Sequence, residues 1–431
     1  MRPVLKKYCV PLAEICFLAG VALLIVRKND FPWPLKRASD VLFFASGGLS
    51  VFFLLATSQA VNFYHRARNV ILALLLLFAG MAMATLANFL QSGQSVDATG
   101  ILSISRFLEA GLLVLLPLFF QSHRDNFIAK FAVAQLSTLF YLLVFIIPND
   151  LHIHMPRFEL WENWPSNVSY YVLVSLSFLL VLLLERIYPL RKQAFYLYVP
   201  AVGLTGILLW TQSRASWLTF LLIGLLSLGY VISQSRRGGI RFFFTAVVAL
   251  ALLLPLAFLL LRPITRFEVL TRIFPGARPF LEQTFNFRAA SAGGLTKEFL
   301  RQDLTPVLSE PSRPYLWRTY GKMLLAQPLG FGVNYPLVQF GGSWKGPHNT
   351  LLEDWVIVGP LGLGAVIYLF WLAFQNLLRL LCAGATARWP LYLFLSLAAL
   401  VLVAMFDNMS TFRLTWIVLG LSLGLANARS T

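Results

Sequence analysis

Apolar residues fall along this chain in continuous runs of about 20, separated by short polar stretches. That is the pattern of helices that cross a bilayer and satisfy their own backbone hydrogen bonds. About twelve runs can be marked, near 8–26, 40–60, 69–90, 101–121, 127–147, 167–187, 193–212, 214–233, 241–261, 350–376, 388–406 and 412–427. The expected fold is all-α: a polytopic integral membrane protein with about 12 transmembrane helices. One segment breaks the hairpin rhythm. Residues 262–349 are polar and long, and loops of that length are uncommon unless they carry function. The chain thus divides into helices over 1–261, a large loop over 262–349, and three further helices over 350–431. Within the loop, Leu316, Trp317, Tyr320, Met323 and Leu324 follow helical spacing from Tyr315 onward, with Arg318, Thr319 and Lys322 between them. This predicts a helix suited to the membrane interface. Phe280, Leu281, Phe285 and Phe287 hint at a weaker one.

Composition agrees with this pattern. Hydrophobic residues make up 58% of the chain and charged ones 12%, and the mean hydropathy is +0.72. Soluble domains carry about twice that charge. A barrel is disfavoured because the runs are continuous and do not alternate. The formal net charge of +17 is read as topogenic and as a match for anionic lipid or phosphate, with no nucleic acid implied. With the N-terminus in the cytoplasm, His65-Arg66-Ala67-Arg68, Arg186 with Arg191-Lys192, Arg236-Arg237 with Arg241, and Arg379 with Arg388 fall inside. The outer loops 91–100 and 148–166 hold only Arg157. The first outer loop, with Arg27, Lys28, Lys36 and Arg37, is an exception to the rule. An even number of spans returns the C-terminus to the cytoplasm. The run to Val26 ends without a small-residue cleavage site and is read as a retained first span. Cys9 and Cys16 stand seven residues apart on one helix, too far to bridge, and Cys382 sits in another loop.

Candidate chemistry gathers at the outer face. Gly341 to Asp354 joins the polar loop to the tenth run: a glycine-proline turn bears Lys345, His348 and Asn349, and a helical pattern starts at Thr350. An imidazole can take up a proton near neutral pH, which suits a general base; a polar cap on a membrane helix is the plain alternative. Arg214 lies between two spans with almost no loop. It either snorkels to headgroups or forks onto a phosphate, which a guanidinium matches bidentately. Arg313 opens the interfacial helix, where an N-terminus favours an anion, and Arg318 follows one turn on. The large loop carries eleven Lys/Arg against five Asp/Glu. His152 and His154 read as surface, and Arg106 with Glu109 as an ion pair inside a span. No Asp-x-Asp or Glu-x-Asp occurs, which disfavours a metal-dependent transferase, so no metal or cofactor is expected.

Several motifs occur in a specific order. Ser213-Arg214-Ala215 opens a span, and Arg313 stands four residues before Trp317. Pro328-Leu329-Gly330-Phe331-Gly332 follows, then Pro347-His348-Asn349 leading into Val358-Gly359-Pro360-Leu361-Gly362. Together they resemble the bacterial O-antigen ligase and polymerase superfamily, most closely the ligases, over roughly 211–363; the first 190 residues match only in hydropathy. The resemblance implies a Gram-negative inner-membrane enzyme with both termini cytoplasmic, its active site and large loop periplasmic. Its reaction moves a polysaccharide from undecaprenyl diphosphate to a sugar hydroxyl of lipid A-core, without metal and with inversion. By position, Arg214 and Arg313 would bind the diphosphate and His348 would be catalytic. Arg318, Lys345, Asn349 and Glu353 are further substrate-binding or orienting candidates. An O-antigen polymerase or a protein O-oligosaccharyltransferase would share the donor. A transporter is a different class of reading, opposed by polar residues that cluster on one face and not at mid-membrane.

Overall fold

The computed structural model describes residues 2–24, 38–141, 165–186, 193–234, 313–405 and 413–427, less gaps at 94–95, 97, 124–125, 212, 341–342 and 384–387, with fragments between 252 and 276. The helices are α1 (Arg2–Ala22), α2 (Ala38–Ala56), α3 (Ala60–Ser92), α4 (Ala98–His123), α5 (Phe127–Tyr141), α6 (Pro165–Arg186), α7 (Gln193–Trp210) and α8 (Arg214–Gln234). They continue with α9 (Arg313–Ala326), α10 (Thr350–Cys382), α11 (Arg388–Ala404) and α12 (Arg413–Asn427). By length and composition, α2, α3, α10 and the 103–123 part of α4 can each cross a membrane, and shorter apolar helices lie within α5 to α8, α11 and α12.

Eleven of the expected runs coincide with helices; the ninth, 241–261, lies largely outside the described residues, although 254–259 is helical. Also outside are Arg27 to Arg37, the 148–164 loop with Arg157, His152 and His154, Arg191-Lys192, Arg236-Arg237 with Arg241, and all of 277–312, where the weaker helix was expected.

Three features differ from the sequence expectation. A two-stranded antiparallel hairpin, β1 (Val338–Phe340) and β2 (Ser343–Lys345), precedes His348, pairing Val338 with Lys345. Cys382 is the last residue of α10 and is exposed; all three cysteines are free. Glu109 meets a partner from another helix, its carboxylate 2.8 Å from Nε of Arg413. The same guanidinium is ion-paired to Asp40 and donates to Ser39 Oγ at 3.1 Å. One arginine on α12 therefore ties α2 and α4 together, satisfying carboxylates that would be costly to leave alone among apolar helices.

Helix-to-helix approach is set by small residues, as expected where apolar area alone gives no drive to associate. α3 and α10 share the most extended contact. A Cβ added at Gly80 would lie 2.5 Å from both Gly362 N and Val358 O, so the two backbones touch. Aromatic rings fill the rest: Phe17 packs against Phe43, Phe120 and Phe127, uniting α1, α2, α4 and α5. Phe178 of α6 lies between Trp389 and Tyr392 of α11.

Polar contacts define two ends of the bundle. At one, His123 Nε2 meets Gln59 Oε1 at 2.9 Å and Gln121 Nε2 donates to Leu421 O. At the other lie Asp40, Glu109 and Arg413, together with Thr85, whose Oγ1 accepts from Val333 N at 3.3 Å. Ser169 and Ser216 share a hydrogen bond across α6 and α8, and the hydroxyl of neighbouring Tyr170 lies near Thr415 of α12. The start of α8 therefore belongs to the Arg413 end.

Replacing Gly80 with Val should destabilise the protein by about 1–3 kcal/mol through overpacking. Gly48→Val, where an added Cβ meets nothing within 4 Å, should change the melting midpoint in detergent far less; equal losses would remove the close-approach explanation.

Candidate active site

The site begins with a proline. Pro360 has no N–H, so the Val356 carbonyl loses its normal i+4 donor. Gly359 breaks the helix at φ 66° and ψ −178°, a region open almost only to glycine. A peptide group from elsewhere fills the vacancy: Phe331 N donates to Val356 O at 2.7 Å. The segment 327–332 can come this close because its glycines carry no side chain. A Cβ on Gly330 would lie 2.6 Å from Trp355 O, and one on Gly332 would lie 2.4 Å from Thr85. Trp355 Nε1 donates back to Pro328 O at 2.9 Å, and Gln327 Nε2 to Gly330 O at 2.8 Å. The glycine-rich motifs at 328–332 and 358–362 are thus two halves of one interlock.

This interlock holds α9 against the first turns of α10. Leu316, Tyr320 and Leu324, at helical i, i+4, i+8 spacing, are buried; Tyr320 and Leu324 cluster with Val356, Met323, Leu352, Trp355, Phe331 and Tyr335. The apolar face of this helix is covered by protein, while Tyr315 and Leu325 stay exposed. Tyr320 donates to Pro336 O at 3.0 Å, and burial pushes its hydroxyl up to about 12.

His348 adopts φ 47°, a left-handed conformation uncommon for a residue with a Cβ and costing of order 1–3 kcal/mol. Both neighbours are tied down. The Pro347 carbonyl accepts from Trp317 Nε1 at 3.1 Å. Asn349 Oδ1 accepts from Leu352 N at 3.1 Å as the N-cap of α10, and Asn349 Nδ2 donates to Met405 O at 3.0 Å. Asn349 is therefore the cap, its amide engaged on both sides by protein. The His348 ring is partly exposed between these anchors.

One turn into α10 from the Asn349 cap, Glu353 is buried and accepts from the Tyr335 hydroxyl at 3.2 Å. Burial and the Glu353 charge push that hydroxyl far above the tyrosine range, and Arg106 on α4 pulls it part of the way back. Asp354 is also fully buried. Both carboxylates sit early in α10, where the positive end of the helix dipole favours negative charge. Arg214 starts α8 and is exposed; Arg318 is exposed on α9; Arg313 is the first residue of α9 and Lys345 the last of β2. The side chains of Arg313 and Lys345 lie outside the described set. His348, Asn349, Glu353 and Arg214 are at the bundle end marked by Arg413. Among the described residues, no three of His, Cys, Asp and Glu are grouped as a metal ion would need.

Sequence reasoning missed Tyr335, Trp317 as the anchor of Pro347, Met405 and Thr85. Nothing local marks them: Thr85 and Val333 are 248 residues apart, and Met405 and Asn349 are 56 apart.

Residues 199–367 match the family described as O-antigen ligase (Wzy_C), a span that includes Arg214, Arg313 and His348. The match covers less than half of the chain and supports membership of the O-antigen ligase/polymerase superfamily, as the motifs implied; the apolar helices fit a multi-pass membrane protein. No curated protein gives a match to the chain.

Removing the cap by Asn349→Ala should cost about 1–2 kcal/mol of stability. Asn349→Asp, which keeps the cap acceptor but cannot donate to Met405, should lose less of the melting midpoint in detergent. If Asn349→Ala melted like wild type, neither hydrogen bond would be holding the turn.

Proposed function

We propose that this protein is an O-antigen ligase of the bacterial inner membrane. It moves polysaccharide from undecaprenyl diphosphate to a sugar hydroxyl of lipid A-core, completing lipopolysaccharide. About twelve spans, both termini in the cytoplasm, and residues 262–349 as a large periplasmic loop complete this reading. The supporting observation is the left-handed His348, pinned by Trp317 and by Asn349 at the bundle end where Arg214 begins α8.

The chemistry follows from the charges. The donor bond breaks by departure of a lipid diphosphate, which needs positive charge beside it. Arg214 and Arg313 supply that charge without requiring a metal. An acceptor hydroxyl is a weak nucleophile; His348 takes its proton as the oxygen attacks the anomeric carbon, and one displacement inverts that centre. Arg318 and Lys345 provide further positive charge for the diphosphate. Glu353 acts from behind, through Tyr335. Both substrates are lipids, so they enter sideways between helices. The large loop directly before His348-Asn349 favours ligase over polymerase or protein O-oligosaccharyltransferase, which would use the same donor.

His348→Ala should lower transfer by about 10²–10⁴ while leaving expression and melting unchanged; near-wild-type turnover would remove the base. Arg214→Lys should be impaired although charge is kept, because an ammonium cannot fork onto a phosphate. Full activity would leave Arg214 a headgroup anchor. Transfer should persist in EDTA, and dependence on a divalent ion would overturn the metal-free route. A lipopolysaccharide gel separates the enzymes: loss of a ligase leaves core without polymer, and loss of a polymerase leaves core bearing one repeat. Transfer by purified protein in detergent, with no sealed bilayer, would exclude a transporter.

A further inference from the structure

Arg106 is a charge in an expensive place. It lies eight residues into α4, about 12 Å along the axis from its first residue, within the part of the helix apolar enough to cross a membrane. An ionised group at such depth needs a polar surrounding or a counter-charge. The carboxylate one turn further along α4, Glu109, is drawn to Arg413 on α12. Arg106 itself is exposed, and among the described residues no carboxylate is ion-paired to it.

Its surroundings give it a direction. The turn Gly332–Asn334 packs on α4 as well as on α3 and α10. Tyr335, the next residue, is within electrostatic reach of the Arg106 guanidinium. The Tyr335 hydroxyl is bonded to Glu353, one turn into α10 from the Asn349 cap and the His348 turn. A helix side chain leans towards the N-terminus of its own helix, which for α4 is the end where these residues gather. The tyrosine is neutral, and among the described residues no carboxylate is ion-paired to the guanidinium, so this exposed cation stands beside the candidate site where an anionic ligand can reach it.

We propose that Arg106 is a phosphate-ester-binding residue of this site, adding a cation from α4 to those expected from α8 and α9. The inference rests on the transferase reading above. The shared chemistry is a phosphate ester, and two sources carry it: the donor diphosphate and a phospholipid headgroup.

The test uses full-length protein with Arg106→Gln and Arg106→Lys. Undecaprenyl diphosphate is titrated in detergent against the melting midpoint, with undecaprenol as the phosphate-free control; donor and acceptor KM are measured in parallel. The unliganded midpoint should be unchanged, because the side chain is exposed. Arg106→Gln should bind undecaprenyl diphosphate about tenfold or more weakly, the worth of one charge-assisted hydrogen bond. Donor KM should rise by a similar factor with acceptor KM unmoved, and Arg106→Lys should recover part of the loss. If the diphosphate arm is unaffected but stabilisation by phosphatidylglycerol vesicles is lost in Arg106→Gln, the phosphate is a headgroup. Unchanged response in both arms, with wild-type protein active, overturns the inference alone. An inactive wild type given both substrates overturns the transferase reading instead, and the binding arm still decides Arg106.

Discussion

The architecture turns on one hydrogen bond that a proline makes necessary. Pro360 strips the Val356 carbonyl of its helical donor, and an unpaired carbonyl among apolar helices costs on the order of 1–3 kcal/mol. Phe331 N meets that carbonyl at 2.7 Å, and nothing bulkier than a glycine at 330 or 359 would let the two strands of backbone come together. The break in α10 and the return loop before it are therefore mutually dependent. With the loop docked, Thr85 and the Gly80–Gly362 crossing draw in α3. Tyr320 and Leu324 then bury α9 over the junction. A straight helix from Thr350 to Cys382 would offer no orphan acceptor and no reason for residues 327–334 to stop there.

Polar groups at the same end do a second, separate job. Arg413 joins α12 to Asp40 on α2 and Glu109 on α4, and the Met405 carbonyl, between α11 and α12, receives Asn349. The His348 turn is thus referenced to both halves of the chain. A histidine held at φ 47° would relax to an ordinary conformation if either neighbour were freed. Trp317 on one side and the Leu352 and Met405 contacts on the other offset a strain of order 1–3 kcal/mol.

Hydropathy alone made the helices legible, because a bilayer demands long apolar runs whatever they pack against. The His348 turn, the helix from Arg313 and the Asn349 cap were legible too, since glycine, proline and capping residues act over a few positions. Partnerships across the fold were not. Arg106 and Glu109 share one helix face at i, i+3, and spacing pairs them; Arg413 meets Glu109 from 304 positions away in the sequence, which spacing cannot foresee. The apolar stripe of α9 was legible from its spacing, but its partner was not, because spacing does not say that the stripe packs on Val356 of another helix. The hairpin at 338–345 escaped notice because three-residue strands carry too little alternation to stand out.

The metal-free transfer proposed above would place a particular demand on this site. Charge on a departing diphosphate has to be met by side chains already in position, since reorganising them during reaction would cost what they supply. Arginines on separate helices meet that demand only if the helices are fixed relative to one another. The Arg413 junction and the Phe331–Val356 interlock provide that fixation with groups that face the protein and not the ligand. On the proposed reading, the exposed cations Arg214 and Arg106 would remain solvated until a phosphate arrives. Rigidity and charge are then carried by different residues, and on the proposed reading a substrate would be exchanged without loosening the frame that holds the His348 turn.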